Sequence, residues 1–325
     1  MMIFEQIANG GCQSYFLGCA DSRLAVLVDP NMARREEYLA LAARHGLTVS
    51  LILETHTHAD HVSASRALAE ELKAEVAMHP ASLVPHAGRR LQHGEEVTVG
   101  GLALKALHTP GHTADSMCLV MDDRLFTGDT LLIGGTGRTD LPTGDAGRLH
   151  DSLFNILLKL DPALSFYPAH EYKGRASSTL GAEMADNPRL QKRDRADFVE
   201  MMRTLGLPPP SALAASLRAN LGSGRSDAEL KDGAPRIAAK ELHPRMAVVD
   251  VRGAEAFAAG HMAGARHIPL SELEMRLAEL PQGELVLVCE NGEGAALAAA
   301  TLNLLGYKHA KALAGGMIAL RSDRA

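Results

Sequence analysis

Tryptophan is absent from the 325 residues, and the aromatic side chains amount to seven phenylalanines and five tyrosines. Cysteine is scarce as well. Cys12, Cys19, Cys118 and Cys289 form no Cys-x-x-Cys pair and are too few for a disulfide scaffold, so a reducing cytoplasm is the expected compartment. Basic charge is not in excess: 33 Lys and Arg stand against 39 Asp and Glu, a formal net charge of -6, which with so few stacking rings argues against a nucleic-acid partner. No apolar run approaches the roughly 20 residues of a membrane helix, which argues against a membrane protein. The opening Met1-Met2-Ile3-Phe4-Glu5-Gln6 lacks the basic region and apolar core of a secretory signal. Histidine, by contrast, is plentiful and unevenly placed. Of 15, the ones at 45, 56, 58, 61, 79, 86, 93, 108, 112, 150 and 170 crowd the first 170 residues, which calls for a test of metal-ligand spacing.

The length predicts two domains at about 150 residues each. Apolar or alternating runs predict strands at Ile3–Ala8, Tyr15–Cys19, Leu24–Val28, Val49–Glu54 and Glu75–Met78. Further strands are expected at Val97–Val99, Leu102–Leu107, Ser116–Met121, Arg124–Thr127 and Leu164–Tyr167, with helices over Arg34–His45, Val62–Lys73 and Leu149–Leu160. Two mixed sheets packed together with helices outside would fit this order. The segment 207–235, with Pro208-Pro209-Pro210, Gly222-Ser223-Gly224 and Lys231-Asp232-Gly233, reads as a linker between a domain at 1–206 and one at 236–325. Beyond it, strands Ala247–Val251, Leu285–Cys289 and Ala310–Leu313 alternate with helices near Glu255–Ala259, Ser271–Leu280 and Ala295–Leu305. That pattern predicts a small parallel α/β domain.

Thr55-His56-Thr57-His58-Ala59-Asp60-His61 stands where the strand Val49–Glu54 ends. In extended chain His56 and His58 point to one side, and Asp60 and His61 are expected at the start of the next helix. Three more strands run into ligand-type residues: Leu102–Leu107 into His112, Arg124–Thr127 into Asp129, and Leu164–Tyr167 into His170. Strand ends on one edge of a sheet are where rigid backbone can assemble a site.

The set His56, His58, Asp60, His61, His112, Asp129 and His170 resembles the metallo-β-lactamase superfamily signature over roughly residues 1–200, which implies an α/β fold, an αββα sandwich with a metal site at one edge. Gly137-Arg138-Thr139-Asp140, Tyr167-Pro168-Ala169-His170-Glu171-Tyr172 and Asn187-Pro188-Arg189-Leu190 resemble the persulfide dioxygenases within it. That resemblance implies one Fe(II) per chain on His56, His112 and Asp129, with His58, Asp60, His61 and His170 in support. It implies glutathione binding by Arg138, Tyr172 and Arg189, whose guanidinium forks suit carboxylates. The implied reaction converts glutathione persulfide, O₂ and water to glutathione and sulfite; thiosulfate, at the C-terminal part, and a homodimer are the further partners expected. Ser216–Gly224 lacks a cysteine often found there in the family. A glyoxalase II-like zinc thioester hydrolase stays open as an alternative, because ligands for two metals are present and His58, Asp60, His61 and His170 would then serve the second. So does a non-enzymatic persulfide carrier.

In the C-terminal part, Val248-Val249-Asp250-Val251-Arg252, Gly260-His261-Met262-Ala263-Gly264-Ala265, Val286-Leu287-Val288-Cys289 and Leu313-Ala314-Gly315-Gly316-Met317 resemble a single rhodanese domain over about 236–322. The resemblance implies that Cys289, between a strand and a helix, carries sulfur. The loop Cys289-Glu290-Asn291-Gly292-Glu293-Gly294 has glycine where the family commonly has arginine, and two acids beside the thiol. Poor transfer from the dianion thiosulfate is therefore expected.

Overall fold

The computed structural model describes residues 1–191, 194–208, 212–222, 224–281 and 283–322. They divide into two compact units, Met1–Pro210 and Ser211–Ala325. No helix among the described residues is long and apolar enough to cross a membrane.

The first unit begins with β1 (Met2–Asn9), β2 (Cys12–Cys19) and β3 (Leu24–Val28), hairpin-linked and antiparallel. Helix α1 (Arg35–His45) carries the chain back to β4 (Thr48–Leu53), parallel to β3, and α2 (Ser65–Leu72) carries it on to β5 (Glu75–Met78). Parallel neighbours need such crossovers, and these two helices supply them. A short β6 (Arg89–Arg90) completes a six-stranded sheet in sequential order.

The second sheet takes β7 (Glu96–Val99), β8 (Leu102–His108), β9 (Met117–Val120) and β10 (Arg124–Gly128). A small hairpin, β11 (Leu131–Leu132) and β12 (Gly135–Thr136), and helix α3 (Ala146–Asn155) follow. Strands β13 (Ser165–Pro168) and β14 (Ser178–Thr179) then extend the sheet, in the order β14-β13-β10-β9-β8-β7. Helices α4 (Leu180–Asp186) and α5 (Arg195–Arg203) end the unit.

The two-residue period of a strand decides what lies between the sheets. Tyr15, Leu17, Val26, Val28, Leu51 and Leu53 meet Leu104, Ala106, Leu119 and Phe126 in one buried layer. Each valine, leucine or phenylalanine among them contributes about 1.5–3 kcal/mol by leaving water. On the outer face of the second sheet, Leu149, Leu153, Phe198 and Met202 from α3 and α5 cover Leu107, Leu125 and Phe166. The result is the expected helix–sheet–sheet–helix sandwich. Helix α2 starts at Ser65 rather than Val62, so Asp60 and His61 lie in a loop and not at a helix start.

The second unit holds an all-parallel sheet in the order β15-β19-β18-β16-β17. Its elements are α6 (Leu213–Leu221), α7 (Asp227–Asp232), β15 (Arg236–Ile237), β16 (Ala247–Asp250), α8 (Ala254–Ala258), β17 (Arg266–His267), β18 (Leu285–Val288), α9 (Glu293–Leu304), β19 (Ala310–Leu313) and α10 (Gly316–Ser322). Two expectations are corrected here. The segment expected as a linker, 207–235, contains α6 and α7; Ser226 and Glu229 form a reciprocal cap on α7, and Leu230 and Ala234 enter the core. Pro209, Pro210 and Ser223 of that segment lie outside the described residues. The helix expected at Ser271–Leu280 is two tight 3-10 turns, Leu270–Met275 and Leu277–Glu279, broken where Arg276 leaves the helical region at φ -115°. Both forms bury Leu273, Leu277 and Leu280, so spacing alone did not separate them.

Candidate metal centre and cysteine loop

Four chain segments converge at one end of the two sheets. After β4 the loop from Thr55 brings in His56, the loop after β8 brings His112, the end of β10 brings Asp129, and the end of β13 brings His170. One ligand atom each from His56, His112 and Asp129 lies within 4.8 Å of the others, and all three residues are buried.

The tautomers follow from the neighbours. Thr55 Oγ1 donates its hydrogen to Asp29 at 2.7 Å, so it accepts from His56 Nδ1 at 2.9 Å and leaves Nε2 with a lone pair. His112 Nδ1 donates to the Arg138 carbonyl at 2.9 Å, and its Nε2 stands 3.5 Å from Asp129 Oδ2. Burial, then the charges of His58 and His112, push the His56 imidazole well below its usual range, towards the neutral form a ligand needs. Asp129 takes Nδ1 of His170 at 2.7 and 2.9 Å. Burial would raise the Asp129 carboxyl, but the charge and hydrogen bond of His170 hold it well below the carboxylate range. Two imidazoles and one carboxylate, each with its second polar atom engaged, are a donor set that fits a divalent metal.

His58 serves a different end. Its ring lies 4.2 Å from that of His56, yet Nε2 bonds Glu54 at 2.9 Å and Asp29 at 3.3 Å. Burial disfavours its charge, but the hydrogen bonds and charges of Asp29 and Glu54 win and hold it well above the ordinary imidazole range. Asp29 also accepts from the Thr55 backbone N–H at 2.7 Å and sits at φ +50°, uncommon for a residue with a Cβ. Neither Asp29 nor Glu54 was picked out from the sequence. The available signal was an acid closing each of two apolar strands, Val28-Asp29 and Leu53-Glu54.

Asp60, His61 and His170 form a second group, joined by a residue that spacing did not reveal. Cys12 Sγ stands 3.2 Å from Asp60 Oδ2, 3.5 Å from His170 Nε2 and 3.8 Å from His61 Nδ1. Gly137 was missed too. A Cβ there would fall 2.0 Å from the Asp129 carbonyl and 2.9 Å from His112 Nδ1, so only glycine fits.

The residues expected to hold substrate lie around this centre. Tyr172 is exposed, its ring 5.8 Å from that of His170 and laid over Gly11. Arg138 is tied to Asp140 at 2.6 and 2.7 Å and to the Pro208 carbonyl at 2.7 Å, beside a cavity of about 640 Å³. Arg189 donates to the carbonyl and hydroxyl of Thr136, and Asn187 to the carbonyls of Leu132 and Gly135, so this motif clamps the β11–β12 hairpin.

In the second unit Cys289 follows β18, and its Sγ accepts the Ala295 backbone N–H at 3.2 Å at the start of α9. The acids beside it are paired with basic side chains. Glu290 lies between Arg252 at 3.0 Å and Arg321 at 2.7 Å, and Glu293 stands 3.7 Å from Lys231 and 3.8 Å from Arg236. A Cβ on Gly294 would sit 3.5 Å from the sulfur, so a side chain has room there.

Residues 8–170 match the metallo-β-lactamase superfamily, and residues 234–323 match the rhodanese-like domain. The mitochondrial persulfide dioxygenase ETHE1 of Homo sapiens is 34% identical over 213 residues, 65% of this chain and 84% of that protein. A hydroxyacylglutathione hydrolase of Anaeromyxobacter dehalogenans is 37% identical over 227 residues, 67% of this chain and 84% of its own. The crystal structure of ETHE1 from Myxococcus xanthus superposes with a TM-score of 0.67 at 39% identity, covering 69% of this chain and all of that one. The chain belongs to the metallo-β-lactamase superfamily, as a homologue of the persulfide dioxygenases, and carries a rhodanese-like domain.

Proposed function

We propose that the first unit is an iron-dependent persulfide dioxygenase that converts glutathione persulfide, O₂ and water to glutathione, sulfite and two protons. The observation that carries this reading is the division of labour among the histidines. His56 and His112 have their Nδ1 atoms engaged and their Nε2 atoms turned towards the set, whereas the Nε2 of His58 is bonded to Glu54 at 2.9 Å and Asp29 at 3.3 Å. That leaves a set of two imidazoles and one carboxylate, His56, His112 and Asp129. Iron(II) held by such a set would keep positions open for O₂ and the persulfide sulfur and activate the O₂, with the four electrons coming from the sulfane sulfur as it becomes sulfite. His170 orients Asp129 through its Nδ1, and the exposed Tyr172 stacks on the His170 ring at 5.8 Å. A glutathionyl carboxylate would take the place of Asp140 on Arg138, one charge-assisted pair replacing another. In the second unit Cys289, at the N-terminus of α9, would carry sulfur as a persulfide.

The identity of the hydroxyacylglutathione hydrolases keeps a zinc thioesterase as the second reading. Metal content separates the two. The natively purified chain is expected to hold one iron, and His112→Ala to lose iron and persulfide-dependent O₂ uptake together, because a three-ligand set has no spare. Two zincs per chain, or full iron and uptake in His112→Ala, would overturn this assignment.

A further inference from the structure

We propose that Cys12 is a sulfur acceptor in the first unit: it takes the terminal sulfur of glutathione persulfide and keeps it as a cysteine persulfide, one histidine away from Asp129. The inference rests on the persulfide reading for its sulfur donor, and on neither O₂ nor the kind of metal. What carries it is a nucleophile, an imidazole and a carboxylate in line, brought together by three strands. Cys12 opens β2, and its Sγ stands 3.5 Å from Nε2 of His170, which follows β13. His170 Nδ1 donates in turn to Asp129, which follows β10, at 2.7 Å. A thiol within reach of an imidazole that a third group orients is an activated nucleophile. Asp60 Oδ2 accepts from the same thiol at 3.2 Å and lies 2.9 Å from His170 Nε2, so the thiol proton has a place to go.

The backbone fixes the sulfur there. Cys12 and His170 face each other in an isolated antiparallel bridge, flanked by Gln13 N–H to the Ala169 carbonyl at 2.7 Å and Glu171 N–H to the Gly11 carbonyl at 2.8 Å. Cys12 is half-buried, whereas Cys19 and Cys118 of the same unit are buried. The exposed Tyr172, expected to hold the glutathionyl part, lies over Gly11, the residue before Cys12. Donor and acceptor are thereby neighbours. In the step itself the thiol proton passes to the Asp60–His170 pair as Cys12 Sγ attacks the terminal sulfur of the persulfide. The S–S bond to Cys12 forms and the S–S bond to glutathione breaks. Glutathione leaves as a thiolate and takes the proton back from the pair. One disulfide-type bond replaces another, so no oxidant or reductant is consumed.

The test keeps O₂ out. The metal-loaded full-length chain carrying Cys289→Ser, which removes the acceptor expected in the second unit, is mixed with glutathione persulfide and trapped by alkylation. Chymotrypsin then separates Cys12 from Cys19 for peptide mass. Cys12 should carry one added sulfur, with one glutathione released per chain above the protein-free rate. Cys12→Ser should release none. His170→Gln should slow the release by about 100-fold, the lower end of what a positioned proton-transfer group contributes. Unfolding in urea should slow the gain of sulfur at Cys12 as well, because an ordinary thiol lacks these neighbours. No added sulfur on Cys12, glutathione release that survives Cys12→Ser, or a rate indifferent to either His170→Gln or unfolding would each overturn the proposal. With O₂ excluded, no readout depends on sulfite formation, so failure here and failure of the dioxygenase reading are distinguishable.

Discussion

Thr55 is a small residue with a large responsibility. Its hydroxyl gives a hydrogen to Asp29 and receives one from His56, and so decides which nitrogen of His56 faces the metal set. Thr55→Val keeps the shape and removes both bonds. The variant should stay folded and bind iron about 10- to 100-fold more weakly, the usual cost of losing an outer-shell partner. Unchanged affinity in an iron competition titration would show that Thr55 does not set the tautomer. The ligand-type residues themselves were legible, because His56, His58, Asp60 and His61 fall within six positions and the others close strands. Their supports were not. Asp29 and Cys12 come from strand segments far away in sequence, and only the fold brings a carboxylate from β3 or a thiol from β2 to the loop after β4.

Strands were the most legible elements, since their period shows in the sequence wherever one face meets the layer between the sheets; α4 to α7, short and in turn-rich sequence, were not. One contact between elements makes a measurable claim. His79 closes β5 in the first sheet and His108 closes β8 in the second, and their rings stack at 3.6 Å. Burial, and next the charge of His108, lower His79 from 6.5 to about 4. Between these values the unfolded chain binds more protons than the folded one, so stability rises with pH across that window and is lost on acidification from about 6.5 towards 4. His79→Asn keeps an acceptor for the Ala81 N–H but cannot titrate there. Urea unfolding at a series of pH values should show a shallower acid slope for the variant. Equal slopes would remove His79 from the account.

At the scale of the molecule, a metallo-β-lactamase unit homologous to persulfide dioxygenases is joined in one chain to a rhodanese-like unit. The fold of each was legible as alternation of strands and helices; the charge state of the Cys289 loop was not, because the arginines that compensate Glu290 come from β16's end and α10. Thiosulfate:glutathione transfer should therefore be measurable, vanish in Cys289→Ser, and fall by up to about 5-fold in Arg321→Ala, the scale of an exposed ion pair. No dependence on Arg321 would contradict the compensation. The central claim, that the first unit spends O₂ on a persulfide, is tested most directly in an oxygen electrode. Glutathione persulfide added to the iron-loaded chain should consume one O₂ and yield one sulfite per persulfide, while S-lactoylglutathione should be left intact. Hydrolysis of the thioester without persulfide-dependent oxygen uptake would contradict it.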